Sequence, residues 1–316
     1  MKLKMAFVMD PVETINTEKD TTFVLMLEAQ ARGHEVWFLE LKDLFVKENK
    51  PFCNATPITL NRSESFYNLG STKTLLLDEF DVIWMRKDPP VNNDFLYATY
   101  ILSLVNPNET KVINNPTGIR ESNEKLYSLF FPEIIPQSIV TKNIFQLQEF
   151  LEEAGGEMVV KPLDGHGGEG IFYVREGDRN ANVILEAITK FGTEYVIGQK
   201  FIEEVSEGDK RIIILNGEPL GGVLRVPKPG GEFRSNFHSG GSPAQSDLTE
   251  RDLEICQTIS SRLIRDGLYF VGIDVIGGFV TEINTTSPTG IQEINRLNGV
   301  KLETQVIEFA EELCGN

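Results

Sequence analysis

Cysteine is scarce in this chain: Cys53, Cys256 and Cys314 are the only three, and none stands near another. With that spacing neither a disulfide framework nor a zinc site is indicated, and a reducing, cytoplasmic setting fits best. Basic charge is short as well. Against 47 Asp and Glu there are 30 Lys and Arg, a formal net charge of −17. Such a surface opposes nucleic-acid binding, so any anionic ligand needs a local cationic pocket. No apolar run approaches membrane-spanning length, and Met1-Lys2-Leu3-Lys4 leads into a strand without a signal-peptide core, so a soluble protein is expected. No G-x-G-x-x-G follows that first strand, which removes the dinucleotide fingerprint.

What is present is the composition of an ordinary globular protein, 41% hydrophobic and 24% charged over 316 residues, enough for two or three packed subdomains. Met5 to Met9 reads as a buried strand, Thr21 to Ala31 as a helix closed by Gly33, and Glu35 to Glu40 as a second strand. Asp81 to Met85, a helix over Phe95 to Val105 and the strand Lys111 to Ile113 repeat the alternation. A small parallel α/β sheet is therefore expected in residues 1–122. Residues 47–74 are polar and aperiodic and read as a long irregular excursion. Asn115-Pro116 begins a connection into a helix around Asn123 to Phe130.

A second region, 123–200, reads as a small α+β lobe. Its helix runs from Phe145 to Ala154 and ends at Gly155-Gly156; the strands Met158 to Leu163 and Gly170 to Val174 follow as a hairpin. In the third region, 201–316, antiparallel strands are expected over Arg211 to Leu215, Leu220 to Val226, Tyr269 to Ile276 and Phe279 to Asn284, in series with Tyr195 to Phe201 just before them. Asn216-Gly217 marks a tight turn. Two helices should pack on this sheet, Leu248 to Arg265 with a stripe of Leu253, Cys256, Ile259 and Leu263, and Leu302 to Leu313 with Val306, Phe309, Ala310 and Leu313 aligned.

Chemistry concentrates in two places. Between the hairpin strands lies Lys161-Pro162-Leu163-Asp164-Gly165-His166-Gly167-Gly168-Glu169-Gly170, a lysine followed by a loop with four glycines. Glycine lets backbone N–H groups approach phosphate oxygens, so this loop reads as a phosphate clamp. It is not a Walker A loop, because the lysine precedes the glycines. The other place is Asp274 through Glu282 to Asn284. Two carboxylates and a carboxamide on one strand face would repel unless a hard cation such as Mg²⁺ sat between them. That arrangement requires Asp274 opposite Glu282, which regular pairing provides only with an odd-length turn of Gly277, Gly278 and Phe279.

Lys125 is a second candidate phosphate lysine. Gln199-Lys200-Phe201-Ile202, at a strand end, suits backbone contacts to an adenine edge. Arg86, in Arg86-Lys87-Asp88-Pro89-Pro90, together with Arg211 and Arg225 could hold an acid substrate or a developing acyl phosphate. The glycine-rich stretch Val226 to Gly241, with Arg234 and His238, reads as a mobile lid. Ser287-Pro288-Thr289 and Glu293 follow the metal strand and could bind a polar substrate.

These residues resemble the ATP-grasp carboxylate-amine ligases, and among them the bacterial glutathione synthetase family. The resemblance rests on Val8-Met9-Asp10-Pro11, Met85 to Pro90, Asn123-Glu124-Lys125-Leu126, Lys161 to Gly165, Gly208-Asp209-Lys210-Arg211, Gly272-Ile273-Asp274 and Thr281-Glu282-Ile283-Asn284 with Ser287-Pro288-Thr289. It implies an ATP-grasp fold with an N-terminal α/β subdomain, a central lid lobe and a C-terminal antiparallel sheet, and a reaction joining γ-glutamylcysteine to glycine. It also implies ATP held by Lys125, Lys161, Gly165, Gly167, Gly168, Glu169, Gln199 to Ile202 and Asp209. Metal binding falls to Asp274, Glu282 and Asn284, with Mg²⁺ or Mn²⁺ as the ion. Arg86, Ser287, Thr289 and Glu293 would lie near the peptide substrates, and Arg211, Arg225 and the lid's Arg234 near the transferring phosphoryl group. A homotetramer is implied too. The rival expectations are an ATP-grasp ligase for D-alanine or for adding glutamate, and a catalytically silent ATP-binding protein.

Overall fold

The computed structural model describes residues 2–165, 167–227 and 241–315. The first unit runs β1 (Lys4–Val8), α1 (Thr21–Ala31), β2 (Glu35–Leu39), β3 (Leu44–Lys47), β4 (Lys50–Leu60), β5 (Tyr67–Leu69), β6 (Lys73–Leu76), β7 (Val82–Met85), α2 (Asn93–Leu102), β8 (Lys111–Ile113) and α3 (Pro116–Glu121). β2, β1, β7 and β8 pair in parallel in that order. The helix α1 starts where Asp20 accepts a hydrogen bond from the Phe23 N–H at 2.7 Å.

Residues 47–74 are not an irregular excursion. β4 pairs antiparallel with β2, β3, β5 and β6 and extends the sheet. Its buried positions begin with Pro51, Cys53 and Ala55, small or breaker residues that hide the period of two, and the phase then shifts so that Ile58 and Leu60 enter the other core cluster. A second correction concerns the helix expected around Asn123 to Phe130. Asn115 and Pro116 start a helix at once, and it ends at Glu121; the Asn123 side chain then caps a separate turn, leaving Tyr127–Phe130 as a single 3₁₀ segment.

The second unit comprises β9 (Ser138–Thr141), α4 (Ile144–Glu153), β10 (Glu157–Pro162), β11 (Phe172–Arg175), α5 (Ala181–Ile188) and β12 (Val196–Lys200), with sheet order β11-β10-β12-β9. β10 and β11 form the expected hairpin. β12, expected in series with the later strands, pairs instead with β10 and β9. This unit keeps a core of its own, built on Leu147, Phe150, Met158, Val160, Leu185 and Val196.

The third unit is β13 (Asp209–Leu215), β14 (Glu218–Val226), β15 (Ser242–Gln245), α6 (Glu250–Arg265), β16 (Phe270–Ile276), β17 (Phe279–Asn284), α7 (Ile291–Asn298) and α8 (Leu302–Gly315), with sheet order β15-β14-β13-β16-β17. Asn216 and Gly217, at φ 49° and 82°, make the two-residue turn between β13 and β14. On α6 the inward stripe is Ile255, Cys256, Ile259 and Leu263, whereas Leu253, expected there, is 48% exposed. The last helix is not confined to the late sheet. It packs across α1, where Glu311 accepts from Arg32 at 2.6 Å and from His34 at 2.7 Å, while Phe309 meets Tyr269 at 5.5 Å between ring centroids. Ala6 and Val8 of the first sheet share one continuous core with Ile212, Ile214 and Ile273 of the third, so these two units form one packed body.

Candidate active site

The three sheets meet around a cavity of about 430 Å³. The hairpin β16–β17 supplies its acidic wall. Its turn is two residues long, pairing Ile276 with Phe279, and regular pairing would then send Glu282 to the wrong face. A β-bulge between Asp274 and Val275 absorbs Thr281 as an extra residue and restores Asp274 opposite Glu282. The expected juxtaposition is therefore present, but a bulge produces it and not an odd-length turn. Asn284 joins the same face, its Nδ2 lying 3.4 Å from Asp274 Oδ2.

The charges on this wall are already balanced by cations, which the expectation of an obligatory metal between them overlooked. Arg211 donates to both Asp274 oxygens, at 2.5 and 3.1 Å, and to the Thr289 carbonyl at 3.0 Å. Arg225 lies opposite Asp209 in the β13–β14 ladder, donates to Asp209, and reaches Asp274 Oδ1 at 2.9 Å. Burial disfavours a charged Asp274, yet the two guanidinium groups outweigh it and hold its carboxyl well below the usual carboxylate range. Lys125 donates to Glu282 at 3.1 Å and to the Gly165 carbonyl at 2.6 Å, tying the acidic strand to the glycine loop.

From the central sheet, Lys161 donates to Gln199 Oε1 at 2.9 Å, and Gln199 in turn donates to Ser138 at 3.1 Å. Burial lowers the Lys161 pKa, and the Lys125 ammonium adds to that, while Glu282 acts against it. Among the described residues no carboxylate pairs directly with this enclosed ammonium, which suits it to receive an anion. The lining also includes Gly167, Gly168, Lys200, Phe201 and Ile202 on the same side, and Ser287 and Thr289 beyond the acidic strand.

Several expected site residues do not line the cavity. Glu169 is exposed, and Gly165 contributes through the carbonyl held by Lys125. Arg86 is buried behind the segment that follows β17, where it donates to Thr22 Oγ1 at 3.1 Å and to the Pro288 carbonyl at 3.0 Å; burial brings its pKa down to about 10. Glu293 is buried on α7. Arg234, His166, His238 and nearly all of the lid expected at 226–241 lie outside the described residues.

Three charged lining residues, Asp10, Asp88 and Glu124, stand inside the motifs that carry the resemblance but receive no role from it. Asp10 and Asp88 follow the adjacent parallel strands β1 and β7, where ligands of open α/β sheets gather, and that position could have revealed them. Glu124 adjoins Lys125. Its Oε1 accepts from Thr285 N at 2.8 Å, Thr286 N at 3.1 Å and Thr286 Oγ1 at 2.9 Å. Burial raises its pKa, and the nearby Glu282 adds to the effect.

Two family models cover almost the whole chain: the N-terminal domain of prokaryotic glutathione synthetase over residues 3–120 and its ATP-grasp domain over 124–299. This chain belongs to the prokaryotic glutathione synthetase family. It is 47% identical to a glutathione synthetase of Thermosynechococcus vestitus, covering 97% of this chain and 99% of that one, and 46% identical to one of Gloeobacter violaceus, covering 98% and 97%. A glutathione synthetase of Vibrio vulnificus is 40% identical over 98% of both chains. Among solved structures, the D-cycloserine synthetase DcsG superposes with a TM-score of 0.70 at 14% identity, covering 98% of this chain and 99% of that one. A RimK domain protein ATP-grasp from Sphaerobacter thermophilus gives 0.64 at 16%, covering 97% and 98%. The fold is the ATP-grasp fold, and the family's members are ligases.

Proposed function

We propose that this protein ligates γ-glutamylcysteine to glycine, converting ATP to ADP and phosphate through an acyl phosphate. What carries the reading is the convergence in one cavity of Lys161 and the glycine loop from the central sheet with Arg211, Arg225, Asp274 and Glu282 from the late sheet, beside the Ser287–Thr289 hydroxyls. A carboxylate is a poor electrophile. Its oxygen attacks the γ-phosphorus of ATP and ADP departs; the glycine amine then attacks the acyl carbon, phosphate leaves, and the amine loses its proton. No side-chain nucleophile is needed, and the protein contributes alignment and fixed positive charge.

In this reading Lys125 and Lys161 hold the phosphates, and Gly167 and Gly168 turn backbone N–H groups toward them. Gln199 to Ile202 flank the adenine, and Asp209 sits on the nucleoside side. Arg211 and Arg225, with Arg234 from the lid, offset charge on the transferring phosphoryl group. Ser287 and Thr289 contact the peptide acid, with Arg86 and Glu293 behind that loop. Asp274, Glu282 and Asn284 form an all-oxygen donor set on the cavity wall, which fits Mg²⁺ or the similar Mn²⁺. Two carboxylates and one carboxamide leave positions in an octahedral shell for phosphate oxygens and water. The ion would neutralise phosphate charge.

The working units are assigned to 1–122, 123–200 and 201–316. A cytoplasmic location is supported by the three free cysteines, two of them buried with thiols pushed up to about 12. The homotetramer is carried over from the family, and sedimentation of the purified chain tests it. For the reaction, purified protein with ATP and Mg²⁺ should release ADP only when both γ-glutamylcysteine and glycine are present. Glycine-independent release, or equal use of D-alanine, overturns the assignment.

A further inference from the structure

Between β17 and α7 the chain makes a loop, residues 285–290, that presents Thr286, Ser287 and Thr289 to the cavity. A largely buried loop outside any strand ladder needs partners from elsewhere for its backbone groups, and those partners fix where its hydroxyls stand. At its far end two arginines do so, Arg86 through the Pro288 carbonyl at 3.0 Å and Arg211 through the Thr289 carbonyl at 3.0 Å. At its near end Asn114 Nδ2 donates to the Thr285 carbonyl at 2.8 Å and Ser122 meets the Thr285 hydroxyl at 3.1 Å, while Glu124 takes the N–H groups. One carboxylate oxygen accepts the Thr285 N–H, the Thr286 N–H and the Thr286 hydroxyl, all within 3.1 Å.

Glu124 is tied in turn to the nucleotide side. Its carbonyl accepts from Ile283 N at 2.9 Å, next to Glu282, and the following residue, Lys125, grips Glu282 and the glycine loop. We propose that Glu124 is a positioning residue which sets the acid-substrate loop against the phosphate site, fixing where the peptide carboxylate meets the γ-phosphorus. This rests on the ligase reading above. Glu124 does this work as a hydrogen-bond acceptor: all three bonds converge on one oxygen, and the carbonyl oxygen of a carboxamide keeps an acceptor facing the same donors.

Steady-state ADP release by wild type, Glu124→Gln and Glu124→Ala tests this. Glu124→Ala leaves two backbone donors and a hydroxyl without their acceptor, and the KM for γ-glutamylcysteine should rise by about tenfold or more, with the KM for ATP moving by less than about threefold. Glu124→Gln should stay within about threefold of wild type in both constants. Equal rises in both KM values for Glu124→Ala, no rise at all, or Glu124→Gln as impaired as Glu124→Ala would overturn the proposal. If Glu124→Ala does not fold, Glu124→Met fills the same space without an acceptor and carries the same expectation. A wild-type protein inactive with γ-glutamylcysteine would strike the ligase reading instead. Hydrogen exchange then decides the positioning role: the Thr285 and Thr286 amides should exchange faster in Glu124→Ala than in Glu124→Gln, and equal rates refute it.

Discussion

Replacing Arg225 by leucine probes the charge network at the heart of the cavity. Arg225 is 3% exposed and sits between Asp209 and Asp274, with Arg211 as the other cation on Asp274. Removing it takes away a guanidinium that both buried carboxylates face, and breaking a buried pair in this way costs about 3–5 kcal/mol. At about 2.1 cal/mol/K per residue, a chain of 316 residues loses roughly 1.5 °C per kcal/mol, so the melting temperature should fall by about 4–8 °C. The double variant Arg225→Leu with Asp209→Leu removes the stranded charge along with its partner. It should regain most of the lost stability, since apolar replacement of a buried ion pair is often neutral. Turnover should not return, because the cation proposed to face the phosphoryl group is still missing. Differential scanning calorimetry and ADP release on the same samples separate the two effects. A single variant as stable as wild type, or a double variant that turns over normally, would refute the reasoning.

Mg²⁺ and nucleotide should bind interdependently, because Mg²⁺ must draw Asp274 and Glu282 away from Arg211, Arg225 and Lys125, and phosphates must then satisfy those cations; calorimetric titration should show Mg²⁺ binding tightened by about tenfold or more by ADP, and equal affinities would count against it. The hydrogen bond from Arg32 holds the Glu311 carboxyl below its ordinary range, with His34 assisting. Its stabilising effect is therefore complete above the ordinary glutamate pKa of about 4.3 and is lost as pH falls through the lower folded value, so the melting temperatures of wild type and Glu311→Gln should differ at neutral pH and converge in acid. Gly118→Ala would put a Cβ 2.1 Å from the Asp266 carbonyl oxygen, where neither backbone can yield easily; a loss of about 1–3 kcal/mol is expected by chemical denaturation, and an unchanged midpoint would contradict the close approach of α3 to the end of α6.

Much of the fold was legible wherever one period dominated. The helix over Thr21 to Ala31 and the hairpin around the glycine loop were readable from spacing and turn residues alone. The meander of β3 to β6 was not, because Pro51, Cys53 and Ala55 pack inward without the bulk that signals a strand. Nor could spacing find the bulge at Thr281: the even turn alone predicts the wrong face for Glu282, and the extra residue is visible only in the ladder. At the site, charged residues in motifs stood out, but their partners did not. Arg86 was readable as a functional cation, while its place behind the loop, holding the Pro288 carbonyl, depends on the docking of two units more than 200 residues apart in sequence.

Isotope transfer tests the acyl-phosphate route most directly. With ¹⁸O in the reacting carboxylate of γ-glutamylcysteine, complete turnover with ATP and glycine should leave one labelled oxygen in the released phosphate, detected by mass or by the ³¹P shift. Phosphate free of label, with peptide product still formed, would show that the carboxylate oxygen never bonded to phosphorus and would contradict the mechanism.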